Sequence, residues 1–406
     1  MKIAFFSYEY PPETGGGGIG TYLAQMVLHL PKYSHLPVVF CATANKDAFW
    51  ENENVYRIPA TDYETYNKIL PRYFSLIDDN IHFDIAEGTD FRACGIEVMK
   101  QFPTLPFVVR AHTANYLIDQ FLYHPLHFFA KLKFIIGGLK RLQIPQLPIP
   151  PQEKDYLIEK EFTQTCDLVL SPSKSLGEIY KKIGWCSDFT FLPYLFEPSK
   201  EVLSIETVVN QKEIKVVFYG RLEIRKGVLE IARAIPTLLQ MHPNLKFYFY
   251  GKSANSPING IDMQTYLEQK LKKYINKVFF KGAFKPEEIA TVLQVGDIFL
   301  FPSRYDNAPL ACFEAMSAGK VVIGSKSGGM AEILEDEVSG LLVDPKNHFQ
   351  IIKQVSRLVE NSGLIESLGK KARERISCVY NSGSIIPNQI EIYQALIENF
   401  KERLKK

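Results

Sequence analysis

The amino-acid sequence predicts an α/β protein made of two Rossmann-like, doubly wound domains that face one another across an interdomain cleft. The chain has 406 residues, more than one hydrophobic core usually organises. Short apolar runs rich in β-branched and aromatic residues alternate with helical patterns, which is typical of parallel sheets covered on both faces. The alternation stops in a polar stretch at residues 196–215 and then starts again. We therefore expect one such domain on each side of that stretch.

Each half contains its own set of strands. Apolar runs predict strands in the first half at residues 2–7, 38–43, 107–110, 168–171 and 189–192. In the second half they predict strands at 215–219, 246–250, 277–281, 298–301 and 321–324, with helices at about 227–241, 286–295, 308–319 and 347–361. Ligands of doubly wound sheets bind beyond the carboxyl ends of the strands, so we expect a ligand cleft between the two sheets.

The same patterns divide the chain into segments. We predict a first domain over residues 1–197, a linker or hinge over 198–212 and a second domain over 213–385. Residues 386–406 are amphipathic with a basic end, which predicts a terminal helix packing back toward the first domain.

Composition and charge narrow the class of protein. Lys and Arg (47) nearly balance Asp and Glu (45), and the net charge of +2 argues against a nucleic-acid partner. The six cysteines are scattered without a C-x-x-C pair, which favours reduced thiols. The sequence also lacks an uncharged apolar stretch long enough to span a membrane. We therefore expect a cytoplasmic location.

A glycine-rich loop, ETGGGGIGTY at residues 13–22, follows the first predicted strand and matches G-x-G-x-x-G. A dinucleotide-binding loop has its first glycine directly after the strand and an acidic residue near the end of the second strand. Here YEYPPET intervenes, and VVFCATANKD has no carboxylate at the expected place. The loop instead suits close approach of an anionic or hydroxyl-rich ligand to bare backbone N–H groups, Gly17 and Gly18 among them, ahead of a helix at Thr21. An unliganded flexible loop is the alternative.

Two cations stand at the start of the second domain. The segment VVFYGRLEIRKGV places Arg221 just after a strand and Lys226 at the start of the next helix. Two cations beside a helix N-terminus suit a diphosphate, although isolated surface cations are more often only solvated.

Two carboxylates and a glycine pair follow further along the second domain. Asp306 lies in the loop after the strand at 298–301, and Glu314 stands eight positions later in an apolar helix start, where an acid is costly without a partner. Such a carboxylate can accept both hydroxyls of a ribose, or serve only as a helix-dipole partner. Gly328 and Gly329 offer further backbone N–H groups at a helix start.

With these residues the chain resembles glycosyltransferase family 4, whose retaining members have the GT-B fold. The family pattern G-R-x-x-x-x-K-G corresponds to residues 220–227, and E-x7-E corresponds to residues 306–314. The chain departs from the family in having Asp306 as the first acid, one methylene shorter, and in having LPYLFEP at 192–198 where the family often has PNGVD. The resemblance therefore implies no contacts for that last segment.

The resemblance implies roles for these residues. Arg221 and Lys226 would bind the diphosphate of a sugar nucleotide, Glu314 its ribose and Asp306 the donor sugar. His112, in VVRAHTANY, matches the family's histidine near the reacting centre. The predicted catalytic residues are His112, Asp306, Arg221 and Lys226, and the predicted donor site comprises Gly17, Gly18, Arg221, Lys226, Asp306, Glu314, Gly328 and Gly329.

The predicted function is retaining transfer of a sugar from a nucleotide-diphosphate sugar to a saccharide or lipid-linked acceptor, in polysaccharide or cell-envelope glycan synthesis. The sequence has no convincing D-x-D metal site, so we predict metal-independent transfer without a cofactor. A sugar-nucleotide epimerase or phosphorylase of the same fold, and a non-catalytic sugar-nucleotide-binding protein, are the alternatives.

A basic amphipathic segment, HFFAKLKFIIGGLKRL at residues 127–142, is relevant to which class of acceptor the protein uses. Its apolar stripe flanked by Lys and Arg is typical of a helix lying on an anionic membrane surface, although Gly137 and Gly138 weaken the helix. Packing within the first domain is the alternative. Membrane contact would favour a lipid or lipid-linked acceptor and a peripheral position at the inner face of the membrane.

Overall fold

The structure, a computed structural model, describes residues 1–15, 17–123, 150–206, 210–258 and 260–405, apart from the side chain of Asp155. The predicted amphipathic helix at 127–142 lies outside the described residues. Within the described ranges, no helix combines the length and the apolar character needed to cross a bilayer. The described residues form two separate sheets, one in each half of the chain.

The first sheet is almost entirely parallel. Its strands are β1 (Lys2–Phe6), β2 (Leu36–Thr43), β3 (Phe49–Asn52), β4 (Val55–Pro59), β5 (Ile85–Thr89), β6 (Phe107–Arg110), β7 (Leu168–Ser171) and β8 (Thr190–Phe191). They lie in the order β3-β4-β2-β1-β5-β6-β7-β8, and only the β3–β4 pair is antiparallel. Because β2 lies on one side of β1 and β5 on the other, the topological switch point, where such sheets bind ligands, lies between β1 and β5.

Helices cover the first sheet, and side chains mark where some of them begin. They are α1 (Gly18–His29), α2 (Tyr63–Ile81), α3 (Ile96–Gln101), α4 (Asn115–Leu122), α5 (Leu157–Thr165) and α6 (Lys174–Lys182). Asp62 accepts the N–H of Thr65 at the start of α2, and Ser173 accepts the N–H of Leu176 at the start of α6. The predicted helix after the glycine loop begins at Gly18, ahead of Thr21.

The second sheet is wholly parallel and has its own switch point. Its strands are β9 (Ile214–Tyr219), β10 (Leu245–Tyr250), β11 (Val278–Gly282), β12 (Ile298–Phe301), β13 (Val321–Ser325) and β14 (Leu341–Val343). They lie in the order β11-β10-β9-β12-β13-β14. The chain moves outward from β9 to β11 and then returns beside β9 as β12, so the switch point lies between β9 and β12.

Helices cover the second sheet on both faces. They are α7 (Lys200–Leu203), α8 (Val228–Met241), α9 (Met263–Lys270), α10 (Ile289–Val295), α11 (Leu310–Ser317), α12 (Met330–Ile333), α13 (His348–Glu360) and α14 (Ser362–Val379). Alternate residues of β9 enter different cores: Val216 and Phe218 pack with α8 and α13, whereas Val217 and Tyr219 pack with α11. The short helix α7 lies within the predicted linker, 198–212.

The final helix, α15 (Ser382–Leu404), begins before residue 386 and packs on the first sheet. Its Ile385, Ile386 and Tyr393 are buried with residues of β1 and β2. The hydroxyl of Tyr393 donates to Glu87 at the centre of the first sheet. The end of the chain therefore forms part of the core of the first domain.

Candidate active site

Two loops meet at the switch point of the second sheet. The first follows β9 and contains residues 220–226, and the second follows β12 and contains residues 302–307. Gly227, at a φ of +78°, lets them approach closely, because a Cβ atom there would lie 2.1 Å from the carbonyl oxygen of Pro302. The N–H of Arg304 donates to the carbonyl of Arg225 at 2.7 Å. This packing brings side chains of both loops together.

A compact charged cluster results from this meeting. Lys226 Nζ donates to Asp306 Oδ2, and Arg225 Nη1 lies 3.7 Å from Asp306 Oδ1. The Asp306 side chain is only 15% exposed. Burial alone would raise the pKa of Asp306, but Lys226 and Arg225 lower it overall. Burial, reinforced by Arg225, lowers the pKa of Lys226 despite the attraction of Asp306.

Glu223 connects this cluster to the more exposed Arg221. Its side chain is 3% exposed and lies 2.7 Å from Arg221 Nη2 through Oε2 and 2.7 Å from Arg225 Nη2 through Oε1. Arg221 itself is 63% exposed. The cluster therefore holds a solvent-facing guanidinium beside a partly buried ammonium, an arrangement suited to an anionic group entering from solvent.

Glu314 occupies a separate, more apolar position near the end of β9. It lies on α11, and the Tyr219 hydroxyl lies 3.1 Å from its Oε2 and 2.6 Å from the carbonyl oxygen of Ala311. Burial raises the pKa of Glu314 to about 7 although the hydrogen bond with Tyr219 lowers it. The carboxyl group is therefore poised between its neutral and charged forms near neutral pH.

We expect Glu314→Gln to stabilise the protein at high pH but not at low pH. The ordinary pKa of 4.5 applies to the unfolded chain and about 7 to the folded one, so the folded state holds the extra proton between these values. The carboxyl group therefore lowers the free energy of unfolding as pH rises through this window. Glutamine does not ionise and has no such effect. In urea unfolding, the free energy of unfolding of the variant, relative to that of the parent, should rise by on the order of 2 kcal/mol between pH 5 and pH 8.

Exposed Glu366 provides the control for this measurement. As a change at the surface, Glu366→Gln should keep the stability within about 0.5 kcal/mol of the parent at both pH values. A Glu314→Gln variant whose stability difference is equally constant would contradict the shifted titration of Glu314.

His112 lies at the carboxyl end of the first sheet, just after β6. Its backbone N–H donates to Asp90 Oδ1 at 2.7 Å, and the N–H of Thr113 donates to Asp90 Oδ2 at 3.2 Å. These bonds hold Thr113 at a φ of +99°, which is unfavourable for a β-branched residue. Burial, with a further contribution from Arg110, lowers the pKa of His112 well below its ordinary value, so the imidazole is neutral.

The glycine loop lies beside an acidic side chain. Gly17 precedes α1 without a side-chain cap, and Gly18 is the first residue of the helix. A Cβ atom on Gly17 would lie 3.4 Å from Glu9 Oε2, while Glu9 Oε1 accepts a hydrogen bond from Tyr63. The proximity of this carboxylate favours a hydroxyl-bearing ligand group over an anionic one at the loop. Binding of the donor by Gly17 and Gly18 stays a prediction.

Gly328 and Gly329 pack directly on the loop that carries Asp306. A Cβ atom on Gly328 would lie 2.3 Å from the carbonyl oxygen of Asp306, and one on Gly329 would lie 1.8 Å from that of Asn307. The N–H of Gly329 already donates to the carbonyl of Asp306 at 3.0 Å. The helix that follows, α12, is a single turn. The structure thus gives this glycine pair a packing role, and donor binding by it stays a prediction.

The two domains meet beside the charged cluster. Ser173 donates to the side-chain oxygen of Asn307, and the ring of Tyr305 stacks on Phe121 at a centroid distance of 4.0 Å. The carboxylate of Glu332 accepts the N–H groups of residues 174 and 175, each at 2.8 Å, and so caps α6 of the other domain. Both neighbours of Asp306 in sequence therefore contact the first domain.

Sequence reasoning missed several of these residues. Arg225 and Glu223 complete the charged cluster, and the basic doublet before Gly227 was the available signal for Arg225. Asn307 and Glu332 act across the domain boundary, which a single sequence does not display. The described residues contain no group of three side chains able to hold a metal ion, and metal independence remains a prediction.

Comparison with solved structures identifies the fold. The chain is similar to sucrose-phosphate synthase from Thermosynechococcus elongatus, with a TM-score of 0.73 and 19% identity over 98% of this chain and 99% of that chain. It is also similar to Anabaena HepE in complex with UDP, with a TM-score of 0.68 and 15% identity over 97% of this chain and 100% of that chain. The chain therefore has the GT-B fold of glycosyltransferases, which confirms the predicted fold class.

Sequence comparison adds a family relationship for the second domain. Residues 199–375 match the family model of glycosyl transferases group 1. An uncharacterized glycosyltransferase of Methanocaldococcus jannaschii is 30% identical over 238 residues, 58% of each protein. A glycogen synthase of Thermodesulfovibrio yellowstonii is 25% identical over 292 residues, 67% of this chain and 56% of that protein. These matches support a relationship to glycosyl transferases group 1, and the chain spans less than two thirds of either relative's length.

Proposed function

We propose that the protein is a retaining glycosyltransferase that moves a sugar from a nucleoside-diphosphate sugar to a saccharide or lipid-linked acceptor without a metal ion. The observation that carries the proposal is the cluster of Arg221, Glu223, Arg225, Lys226 and Asp306 at the switch point of the second sheet. The group 1 glycosyl transferase match covers this same domain. We place the reaction in polysaccharide or cell-envelope glycan synthesis.

Different parts of the donor would contact the charged cluster and Glu314. Its diphosphate would pair with Arg221 and Lys226, drawing Lys226 partly away from Asp306, whose carboxylate would then be available to the hydroxyls of the sugar. Glu314 would accept the ribose hydroxyls from its apolar position beside Tyr219. Ribose binding favours the ionised carboxylate, so we expect it to lower the pKa of Glu314.

Transfer requires the bond between sugar C1 and the diphosphate oxygen to weaken while positive charge develops on the ring. Arg221 and Lys226 would stabilise the departing diphosphate, and the carboxylate of Asp306 would face the sugar. Retention is accommodated by attack from the side of the leaving group, whose phosphate oxygen takes the acceptor proton. Neutral His112 would then orient the sugar and would not serve as a strong base.

The acceptor would enter from the first domain. The contacts of Tyr305 and Asn307 already join the two domains beside the cluster, and domains closed in this way would exclude water and limit hydrolysis of the donor. Contact of residues 127–142 with an anionic membrane remains a prediction, and would favour a lipid-linked acceptor.

The experiment that tests the proposal is thermal denaturation with UDP-, GDP- and ADP-sugars and their free diphosphates, all in EDTA. UDP compounds come first because the similar HepE structure contains UDP. A ligand at 100 to 1,000 times its Kd stabilises a protein by roughly 3 to 4 kcal/mol, so one nucleotide class should raise the melting temperature measurably. Glu314→Ala should lose that stabilisation, whereas the exposed control Glu366→Ala should retain it.

Other outcomes separate the alternatives. If a sugar nucleotide binds and is then epimerised, or if the protein phosphorolyses a saccharide, the protein is a different enzyme of this fold and not a glycosyltransferase. Binding without turnover on any saccharide or lipid-linked acceptor would favour a sugar-nucleotide-binding protein. A melting temperature unchanged by the whole panel would contradict the proposed donor site.

A further inference from the structure

The imidazole of His112 is bonded on one side only. Nδ1 lies 2.5 Å from the hydroxyl oxygen of Tyr194, and the two rings stack at a centroid distance of 5.3 Å. Nε2, on the other side of the ring, is buried and has no hydrogen-bond partner among the described residues. A buried polar atom without a partner is costly, which makes Nε2 a candidate contact for a ligand.

The environment of Tyr194 determines which imidazole nitrogen carries the proton. The Tyr194 hydroxyl also lies 3.2 Å from the carbonyl oxygen of Ala111, which has only acceptor capacity. The single hydroxyl proton therefore satisfies this carbonyl, and the hydroxyl oxygen is left to accept a proton from His112 Nδ1. The opposite arrangement would place the lone pairs of the hydroxyl and carbonyl oxygens against each other.

The surrounding charges keep the imidazole neutral. The guanidinium of Arg110 lies over the rings of Tyr22 and Tyr194, at 4.9 and 5.1 Å from their centroids, and disfavours a second positive charge nearby. Asp90 faces the backbone N–H of His112, and the carboxylate of Glu87 is engaged by the hydroxyl of Tyr22. With one proton held on Nδ1, Nε2 presents a lone pair.

Tyr194 itself is firmly placed. It is buried, and it lies in the segment LPYLFEP, where this chain departs from the family that it resembles. The N–H of Leu192 donates to Ser171 at 2.9 Å, and Arg110 donates to the carbonyl of Pro193 at 3.2 Å. The chain on the N-terminal side of Tyr194 is thus bonded to the carboxyl edge of the first sheet.

We propose that Tyr194 is a positioning residue that holds His112 in the Nδ1–H tautomer, so that Nε2 accepts a hydroxyl hydrogen of the donor sugar. The site then favours a neutral, hydroxyl-bearing sugar and disfavours a uronosyl donor, whose carboxylate would meet the Nε2 lone pair. The tautomer concerns the free protein, and only the sugar preference rests on the proposed function.

Nuclear magnetic resonance of the full chain labelled with 15N-histidine tests the tautomer directly. The chain has eight histidines, and the His112 signals are those missing from His112→Gln. At pH 7.5 we expect one long-range correlation pattern for His112, with Nδ1 protonated and Nε2 bare. A protonated Nε2, or a doubly protonated ring, in the parent protein would overturn the proposal without any variant.

Two tyrosine variants separate the hydroxyl of Tyr194 from general changes around the ring. Tyr194→Phe keeps the stacked ring and removes the acceptor of Nδ1–H, so we expect the Nε2–H form to become populated. Tyr22→Phe is the matched control, because its ring lies 5.4 Å from His112 while its hydroxyl bonds to Glu87. An unchanged tautomer in Tyr194→Phe, or the same change in both variants, would overturn the positioning role.

Binding of UDP-glucose and UDP-glucuronate tests the sugar preference. We expect the glucuronate compound to bind at least about tenfold more weakly to the parent, and the difference to shrink in Tyr194→Phe, where Nε2–H can donate to a carboxylate. Equal affinities in the parent would overturn the preference. If neither compound binds, and no other sugar nucleotide in the panel binds either, the proposed function is contradicted. The tautomer measurement does not depend on that result.

Discussion

Replacing Asp306 with alanine is expected to lower the free energy of unfolding by about 3 kcal/mol and to abolish sugar transfer. Asp306 is the counter-charge of Lys226 and Arg225, and its removal leaves two partly buried cations facing each other. Urea unfolding measures the first effect. Saturating UDP should stabilise the variant more than the parent, because its diphosphate supplies the missing negative charge.

A surface ion pair provides the control for this prediction. Asp188 lies 3.3 Å from Lys181 and is 83% exposed, so Asp188→Ala should change stability by less than about 1 kcal/mol. UDP should stabilise that control as it stabilises the parent. Equal stabilisation of Asp306→Ala and the parent by UDP would mean that the diphosphate does not bind at this cluster.

The second large effect is expected from Gly329→Ala. A Cβ atom there would lie 1.8 Å from the carbonyl oxygen of Asn307 and 2.7 Å from the Cβ of Ser173, so backbone or a whole domain must move. Overpacking of this kind costs about 2 kcal/mol. Because Asp306 precedes Asn307, the displacement should also reduce turnover about 100-fold, as a misplacement of 1 Å can.

Gly363→Ala provides the matched comparison for turnover and urea unfolding. The added Cβ atom there would lie 3.5 Å from Asn361 Oδ1, which is an ordinary contact, and the site is distant in sequence from the loops around Asp306. We expect this variant to behave like the parent in both measurements. Parent-like turnover in Gly329→Ala would show that the 306–307 loop tolerates displacement.

The alternation of apolar runs was sufficient to predict the fold because both sheets are mainly parallel and buried on both faces. The predicted strand at 298–301 and β12 coincide, and helix α8 begins within one residue of its predicted start. Such runs are visible because their side chains are uniformly apolar. The equally buried but shorter strand β14 was not predicted, because three apolar residues are too few to stand out.

Strands β4 and β5, each with a charge buried at its centre, were not predicted. Strand β5 contains Glu87, which is fully buried and bonded to Tyr22 and Tyr393. Strand β4 contains Arg57, which is fully buried and paired with Glu51 on β3. A charge at the centre of a strand interrupts the apolar run, and the partners of Glu87 lie too far along the chain for local patterns to reveal them.

The residues of the candidate site also fall into a group that sequence motifs indicate and a group that only the fold brings together. Arg221, Lys226, Asp306 and Glu314 stand in short motifs after predicted strands, and the family resemblance that these motifs carry predicted a shared site. Contacts across the domains were not, because Glu332 and Ser175 are paired only by the folded arrangement. The proton position on His112 also depends on Tyr194, in a segment that matches no motif.

The path of the chain between the domains also bears on how the protein is made. It crosses once near Phe196 and returns near Tyr380, and the two crossings are joined where the N–H of Phe196 donates to the carbonyl of Tyr380 at 2.8 Å. The returning helix then supplies Tyr393 to Glu87 in the first sheet. During synthesis the first domain leaves the ribosome without this helix, so its core closes only after the second domain has been translated. Although it comes first in the sequence, the first domain therefore cannot complete its core before the second domain has been made.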